Sequence, residues 1–383
     1  MMLSYGRQSI NEEDIQEVIE VLRSDFLTQG PQLRAFETRV AEYCHARYAV
    51  AVTNATSALH IACLAAGLGA GDVLWTVPNT FVASANCGLY CGAEVDFVDI
   101  DPRTYNMSVA ALEEKLQSSS VLPKIVVPVH FSGQSCEMQR IHELAEQYGF
   151  TVLEDASHAI GGEYQGCKVG SCRYSDMTVF SFHPVKIITT GEGGMVLTNN
   201  EELYRKLLLL RSHGITREED CMSREADGPW YYEQTGLGFN YRMTDIQAAL
   251  GLSQMNRLDD FVTKRNHLAL RYASLLQDLP VKAPQVLSGI KSSWHIYVLC
   301  ADFEQLGLTK KELFQAMLAK GIRLNLHYIP VHTQPYYQRL GFKWGDFPVS
   351  ERYYQEAFTI PLYYDLSEDM QDKVVQSLRE VLG

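Results

Sequence analysis

Residues 11–23 place Ile15, Val18, Ile19 and Leu22 three and four positions apart behind Asn11, which predicts a capped amphipathic helix at the start of the chain. Seven short apolar runs follow, at 48–53, 73–77, 95–99, 125–129, 151–154, 177–182 and 195–198, with helix-like segments between several of them. Short buried strands alternating with helices predict an α/β fold with a largely parallel sheet covered on both faces. The pattern changes near residue 241. Thr244 and Gln247 have the spacing of a capping box, and one long helix carrying Ile246, Leu250, Leu258 and Phe261 is expected from there to about Leu279, bridging two domains. Beyond it, 295–300 and 322–327 read as strands and 309–320 and 368–382 as helices, a smaller α+β unit. The expected division is 1–245 for the large domain and 246–383 for the bridging helix and small domain. No internal repeat or low-complexity stretch interrupts this order.

Composition changes the picture little. The 383 residues, 46% hydrophobic and 21% charged, are ordinary for a globular protein able to bury a sizeable core. Lysine and arginine number 33 and aspartate and glutamate 46, a net charge of −13, and no long basic run is present, so sequence-independent nucleic-acid binding is disfavoured. Local cationic pockets for an anionic substrate are still allowed. The nine cysteines show no Cys-x-x-Cys pair or zinc spacing, so reduced thiols and no metal are expected. The chain start lacks the pattern of a secretory leader and no stretch suits a membrane span, so a cytoplasmic protein is expected.

Candidate chemistry gathers at the ends of the predicted strands. Lys186 closes the stretch that runs from Thr178 through Ser181 and His183 into the glycine-rich turn Gly191-Glu-Gly-Gly194. A lysine there sits where an α/β sheet presents ligands, and its amine can form a Schiff base. Asp155 and His158 close an earlier apolar strand, and Ala55, Thr56 and Ser57 open an apolar helix whose free N–H groups favour an anion. Together they suggest a pyridoxal phosphate site, with Asp155 on the pyridine nitrogen, Ser181 adding a hydroxyl to the phosphate cradle and Phe81 stacked on the ring. His158 is expected near the ring and His183 behind the residues that face it. Taken singly, each has a plainer alternative: a solvated lysine, helix caps at Asn54 and Asp155, and a core aromatic at Phe81.

Through Ser181-Phe-His-x-x-Lys186 and Gly191-Glu-Gly-Gly194, nearly the whole chain resembles the DegT/StrS-type sugar-nucleotide aminotransferases. The resemblance implies the type I pyridoxal phosphate-dependent, aspartate aminotransferase fold, with a large, mostly parallel seven-stranded sheet domain and a smaller α+β C-terminal domain. It implies that Lys186 carries the cofactor as a Schiff base, and that Asp155, Phe81, Thr56, Ser57 and Ser181 bind it in the roles above. The active site would lie in a homodimer interface, with Asn240 reaching the phosphate from the neighbouring subunit. Tyr5, Asp25, Phe26, Leu27 and Thr28, together with Asn325, Leu326, His327 and Tyr328, match positions that contact substrate.

Further motifs, among them Asp25-Phe-Leu-Thr-Gln-Gly-Pro31 and Arg211-Ser-His-Gly-Ile-Thr216, are most similar to the pseudaminic acid branch of that family. That branch implies transfer of an amino group from L-glutamate to C4 of a UDP-linked 4-keto-6-deoxy-N-acetylhexosamine. The alternatives are a D-gluco, bacillosamine-type 4-keto sugar and a non-catalytic sugar-binding regulator on the same fold. A deoxygenating dehydratase is disfavoured, because relatives of that kind have histidine in place of the Schiff-base lysine.

Overall fold

The computed structural model describes residues 2–283 and 285–383. All seven apolar runs become strands of one sheet: β1 (Tyr48–Val52), β2 (Val73–Thr76), β3 (Glu94–Phe97), β4 (Ile125–Val126), β5 (Thr151–Asp155), β6 (Met177–Ser181) and β7 (Gly194–Thr198). They lie in the order β1-β7-β6-β5-β4-β2-β3, with β7 antiparallel to both neighbours and the other pairs parallel. β4 is shorter than its apolar run because Pro128 has no N–H for the ladder. The chain still follows β5 past that point, since the Asp155 N–H donates to Pro128 O at 2.9 Å and the His130 N–H to Asp155 O at 3.0 Å.

Helices cover both faces, which is why the strands read as continuous apolar runs. The first ten helices in chain order are α1 (Glu12–Leu22), α2 (Pro31–Cys44), α3 (Ala55–Ala65), α4 (Ala83–Tyr90), α5 (Val109–Ser118), α6 (Met138–Tyr148), α7 (Glu201–Arg211), α8 (Asp245–Met255), α9 (Leu258–Leu275) and α10 (Lys310–Ala319). On one face Val50, Val52, Val179 and Val196 pack with Ala58, Ile61 and Leu207 of α3 and α7. On the other, Ala49, Ala51, Phe180 and Leu197 pack with Phe36 and Val40 of α2 and Ala248 of α8. The period-2 alternation of each strand therefore feeds two cores.

The carboxyl-terminal part builds a further core around a two-stranded antiparallel sheet, β8 (Tyr297–Cys300) with β9 (Ala357–Ile360). Leu313 and Met317 of α10 and Val374, Val375 and Leu378 of the helix Glu368–Leu382 complete it.

Three expectations are corrected. The long helix is two, broken at Asn256 and Arg257, where Arg257 leaves helical dihedrals and turns its guanidinium to the buried Asp14 carboxylate. Residues 322–327 form no strand: Ile322 bridges only Leu3, and Asn325 only Thr359. In α1 the expected apolar face is turned largely outward, with Ile15 and Leu22 exposed, while Asp14 and Val21 are buried.

Asp14 is drawn inward by partners no periodicity reveals. Its carboxylate accepts from Ser253 Oγ at 2.7 Å, from Gln254 Nε2 at 2.7 Å and from Arg257, and it closes the Asn11 capping box. Removing one side of a buried charge pair strands the other. Asp14→Ala is expected to destabilise the protein by about 3 kcal/mol, lowering the urea midpoint read by circular dichroism. An unmoved midpoint would show that α1 is held by its apolar residues instead.

Candidate active site

Because β1, β5 and β6 run in parallel, their carboxyl ends fall at one edge of the sheet, and the antiparallel β7 brings its first residue, Gly194, to the same edge. A cavity of about 830 Å³ opens there, within the size range of small-molecule sites.

Lys186 stands in its wall. β6 ends at Ser181, Pro184 ends any continuation of the ladder, and the Lys186 N–H donates to His183 O at 2.9 Å in a tight turn. Burial disfavours the ammonium and brings the Lys186 pKa down to about 8, with the Asp155 carboxylate acting in the opposite direction. Asp155, the last residue of β5, accepts from Ser84 Oγ at 2.6 Å and from the Ser157 N–H at 3.1 Å. Ser84 in turn is 2.7 Å from Thr80 Oγ1.

At the start of α3, Asn54 accepts from the Ser57 N–H at 2.9 Å. Capping is therefore real, but it engages Ser57 alone, and the Ala55 and Thr56 amides of the first turn remain for an incoming anion. Ser57 offers its hydroxyl, 3.2 Å from Thr53 Oγ1. β7 packs directly behind this turn: a methyl at Gly194 would lie 2.5 Å from Asn54 C and 2.6 Å from Ala55 N. Gly191, with φ of +80°, makes the turn that leads there. Phe81 is 59% exposed at the cavity, an open aromatic face against which a flat ring can lie.

The single chain brings together Ala55, Thr56, Ser57, Phe81, Asp155, His158, Ser181 and Lys186, along with Tyr5, Asn325, Leu326, His327 and Tyr328. It does not bring in Asn240, which is exposed beside Ser212, or Asp25, Phe26, Leu27 and Thr28, which are exposed next to the start of α8. His183, expected behind the site, lines it. Sequence reasoning missed Ser84, Tyr90, Tyr241 and His295. Ser84 carried a signal, one helical turn past Phe81; His295 carried none, since only the fold sets its ring 4.4 Å from that of His158.

Electrostatics narrow the chemistry. Burial, then the Lys186 charge, holds His158 well below the ordinary histidine range and His327 at about 3, so both rings are neutral at pH 7. Lys186 is the cavity's one lysine, and no arginine lines it among the described residues. No cluster of potential metal ligands occurs among them either. A depressed lysine, a carboxylate with two donors behind it, unpaired helix amides and an open aromatic face fit the amine-reactive aldehyde, pyridine nitrogen, phosphate and ring of pyridoxal phosphate.

The comparisons agree. The DegT/DnrJ/EryC1/StrS aminotransferase family model matches residues 8–379. The spore coat polysaccharide biosynthesis protein SpsC of Bacillus subtilis is 40% identical over 384 residues, 99% of this chain and 97% of that one. The UDP-4-amino-4,6-dideoxy-N-acetyl-beta-L-altrosamine transaminase of Campylobacter jejuni serotype O:23/36 is 36% identical over 374 residues, 96% of this chain and 94% of that one. Among solved structures, Helicobacter pylori PseC, an aminotransferase involved in the biosynthesis of pseudoaminic acid, superposes with a TM-score of 0.91 at 31% identity, covering 100% of this chain and 99% of that one.

The depressed Lys186 pKa has a measurable sign. Only the neutral amine attacks an aldehyde, so in the cofactor-free protein the rate of Schiff-base formation with pyridoxal phosphate should rise with pH through about 8 and then level off. An ordinary lysine would keep rising to about 10.4. Asp155→Asn removes the charge that favours the ammonium and should move the midpoint lower. Stopped-flow absorbance across pH reads both, and a midpoint near that of a free lysine would contradict the burial account.

Proposed function

The chain belongs to the DegT/DnrJ/EryC1/StrS aminotransferase family, and on that premise we propose that it moves an amino group from L-glutamate to C4 of a UDP-linked 4-keto-6-deoxy-N-acetylhexosamine, giving UDP-4-amino-4,6-dideoxy-N-acetyl-β-L-altrosamine for pseudaminic acid synthesis. It is a pyridoxal phosphate-dependent sugar aminotransferase with the fold of its class. The observation that carries the reading is the convergence of Lys186, Asp155 and the first turn of α3 on one cavity whose wall also includes Tyr5 and the segment Asn325 to Tyr328. The names of the Campylobacter and Helicobacter relatives support the particular sugar.

When bound, the cofactor supplies an electron sink and a carrier for the amino group. Lys186 would hold it covalently. Ala55, Thr56, Ser57 and Ser181 would hold its phosphate, Asp155 would meet the pyridine nitrogen, and Phe81 and His158 would lie against the ring. The Lys186 amine would take the proton from the α-carbon of the donor and later deliver one to C4 of the sugar. A pKa near 8 suits both tasks, because a group that must accept and then return a proton works best close to the ambient pH.

The sugar nucleotide brings a diphosphate and the donor two carboxylates, yet the wall of one chain offers them no guanidinium among the described residues. This supports a homodimer with shared sites, in which a second copy brings Asn240 to the phosphate and the exposed segment Asp25 to Thr28 serves the sugar nucleotide. Trp230, 72% exposed, and Leu237, 82% exposed, lie in the stretch leading to Asn240 and are the kind of apolar surface a partner covers. Under this reading, mixing inactive Lys186→Ala with inactive Asn240→Ala subunits restores turnover, because one site of each hybrid is intact. No recovery after verified subunit exchange would place Asn240 outside the partner's site.

The substrate is tested by converting the enzyme to its amino form with glutamate and offering UDP-linked 4-keto sugars of the L-altro and D-gluco routes, with product NMR. Preference for the first and a 4-amino-L-altrosamine product is expected. Preference for the second would keep the aminotransferase and replace the sugar.

A further inference from the structure

One chain of hydrogen bonds in the cavity wall has a direction that heavy atoms alone determine. The Ser132 backbone N–H donates to His158 Nδ1 at 3.3 Å. A backbone N–H can only donate, so Nδ1 carries the lone pair and the proton of the neutral ring sits on Nε2. Nε2 lies 3.0 Å from the Tyr328 hydroxyl oxygen. The histidine therefore donates and the phenol accepts, which leaves the phenol's own hydrogen free to turn elsewhere. Burial raises the Tyr328 pKa, so that hydrogen is retained at neutral pH.

Tyr328 is held firmly. Its N–H donates to Asn79 Oδ1 at 3.1 Å, and its ring meets Phe131 edge-on at 6.3 Å between centroids. It faces Phe81 across the cavity, with ring centroids 6.3 Å apart, and shares the wall with Asn325 and His327. A donor fixed in this way is organised before any ligand arrives.

We propose that Tyr328 donates its hydrogen bond to the ketone oxygen of the sugar nucleotide, and that Ser132 and His158 are positioning residues that set the direction of that bond. The inference rests on the sugar aminotransferase reading. As the amino nitrogen adds to C4, the ketone oxygen gains negative charge, and a donor already aimed at it stabilises that charge without reorganisation. The glutamate half forms a ketone only as its 2-keto acid product is released, after water has added, so removal of the glutamate α-proton does not use this donor.

The two half-reactions, followed separately in single turnovers, distinguish this role from a structural one. Tyr328→Phe should slow amine transfer to the 4-keto sugar about 100-fold, with a much smaller effect on α-proton removal from glutamate, read as deuterium loss from α-deuterated glutamate. The polarity is tested at His158. In His158→Gln the amide oxygen accepts from Ser132 and the amide nitrogen donates to Tyr328, so any loss of contact at the ring slows both half-reactions alike and the ratio of the sugar rate to the glutamate rate should stay near that of the wild type. In His158→Glu the carboxylate accepts at both ends, claims the phenol hydrogen and should reproduce the Tyr328→Phe loss. Equal slowing of both half-reactions by Tyr328→Phe, or equal losses in the two His158 variants, would overturn the assignment. A wild-type enzyme that reacts with glutamate but with no 4-keto sugar nucleotide would overturn the substrate reading and this donor role with it. Fast sugar turnover in Tyr328→Phe would overturn the donor role alone.

Discussion

Where β7 begins, its backbone passes so close behind the first turn of α3 that a single methyl on Gly194 would lie 2.5 Å from Asn54 C and 2.6 Å from Ala55 N. Gly194 also pairs in register with Val52 on one side and Ser181 on the other. One residue without a side chain thus locks the helix that offers free amides to the strand that leads to the lysine. The distance between the anion cradle and the amine is set by sheet geometry rather than by loops, the kind of rigid support an organised site needs. Asp155 enters the same frame through β5, whose register to β6 pairs Asp155 with Val179.

The burial of this edge explains its chemistry. The cavity wall is buried enough to keep His158 and His327 neutral and to bring Lys186 to about 8, and these effects share one origin. Burial makes the lysine a usable nucleophile and base, and it keeps the histidines neutral, so that His158, with the Ser132 N–H on its Nδ1, is a one-proton donor of fixed direction. Only Asp155, with Ser84 and Ser157 behind it, opposes the trend at Lys186.

Six of the seven sheet strands were legible in the sequence because nearly every residue in them is buried, while β3, at the sheet edge, shows buried Val95 and Phe97 alternating with exposed Glu94 and half-buried Asp96. That Lys186, Asp155 and Ala55 to Ser57 meet at one cavity was legible because each follows the end of such a run, where α/β sheets present ligands. What stayed hidden depends on contacts between distant residues. Asp14 is buried for its bonds to Ser253, Gln254 and Arg257, which a helical period scores as a solvent position. The start of α2 is held by Asp245, whose carboxylate accepts from the Gly30 N–H at 2.8 Å and the Gln32 N–H at 2.9 Å, across more than two hundred residues of chain. Residues 322–327 carry a strand-like pattern but find only isolated partners, and the helix expected to run unbroken from Thr244 kinks where Arg257 serves Asp14.

The central claim is that Lys186 is the residue that carries the cofactor. Borohydride reduction of the pyridoxal phosphate-loaded enzyme, followed by peptide mass spectrometry, tests it most directly, because reduction freezes the carbon–nitrogen bond wherever it has formed. The account predicts a pyridoxyl group on Lys186 and none elsewhere. A label on another lysine, or one that persists in a Lys186→Ala variant, would contradict it.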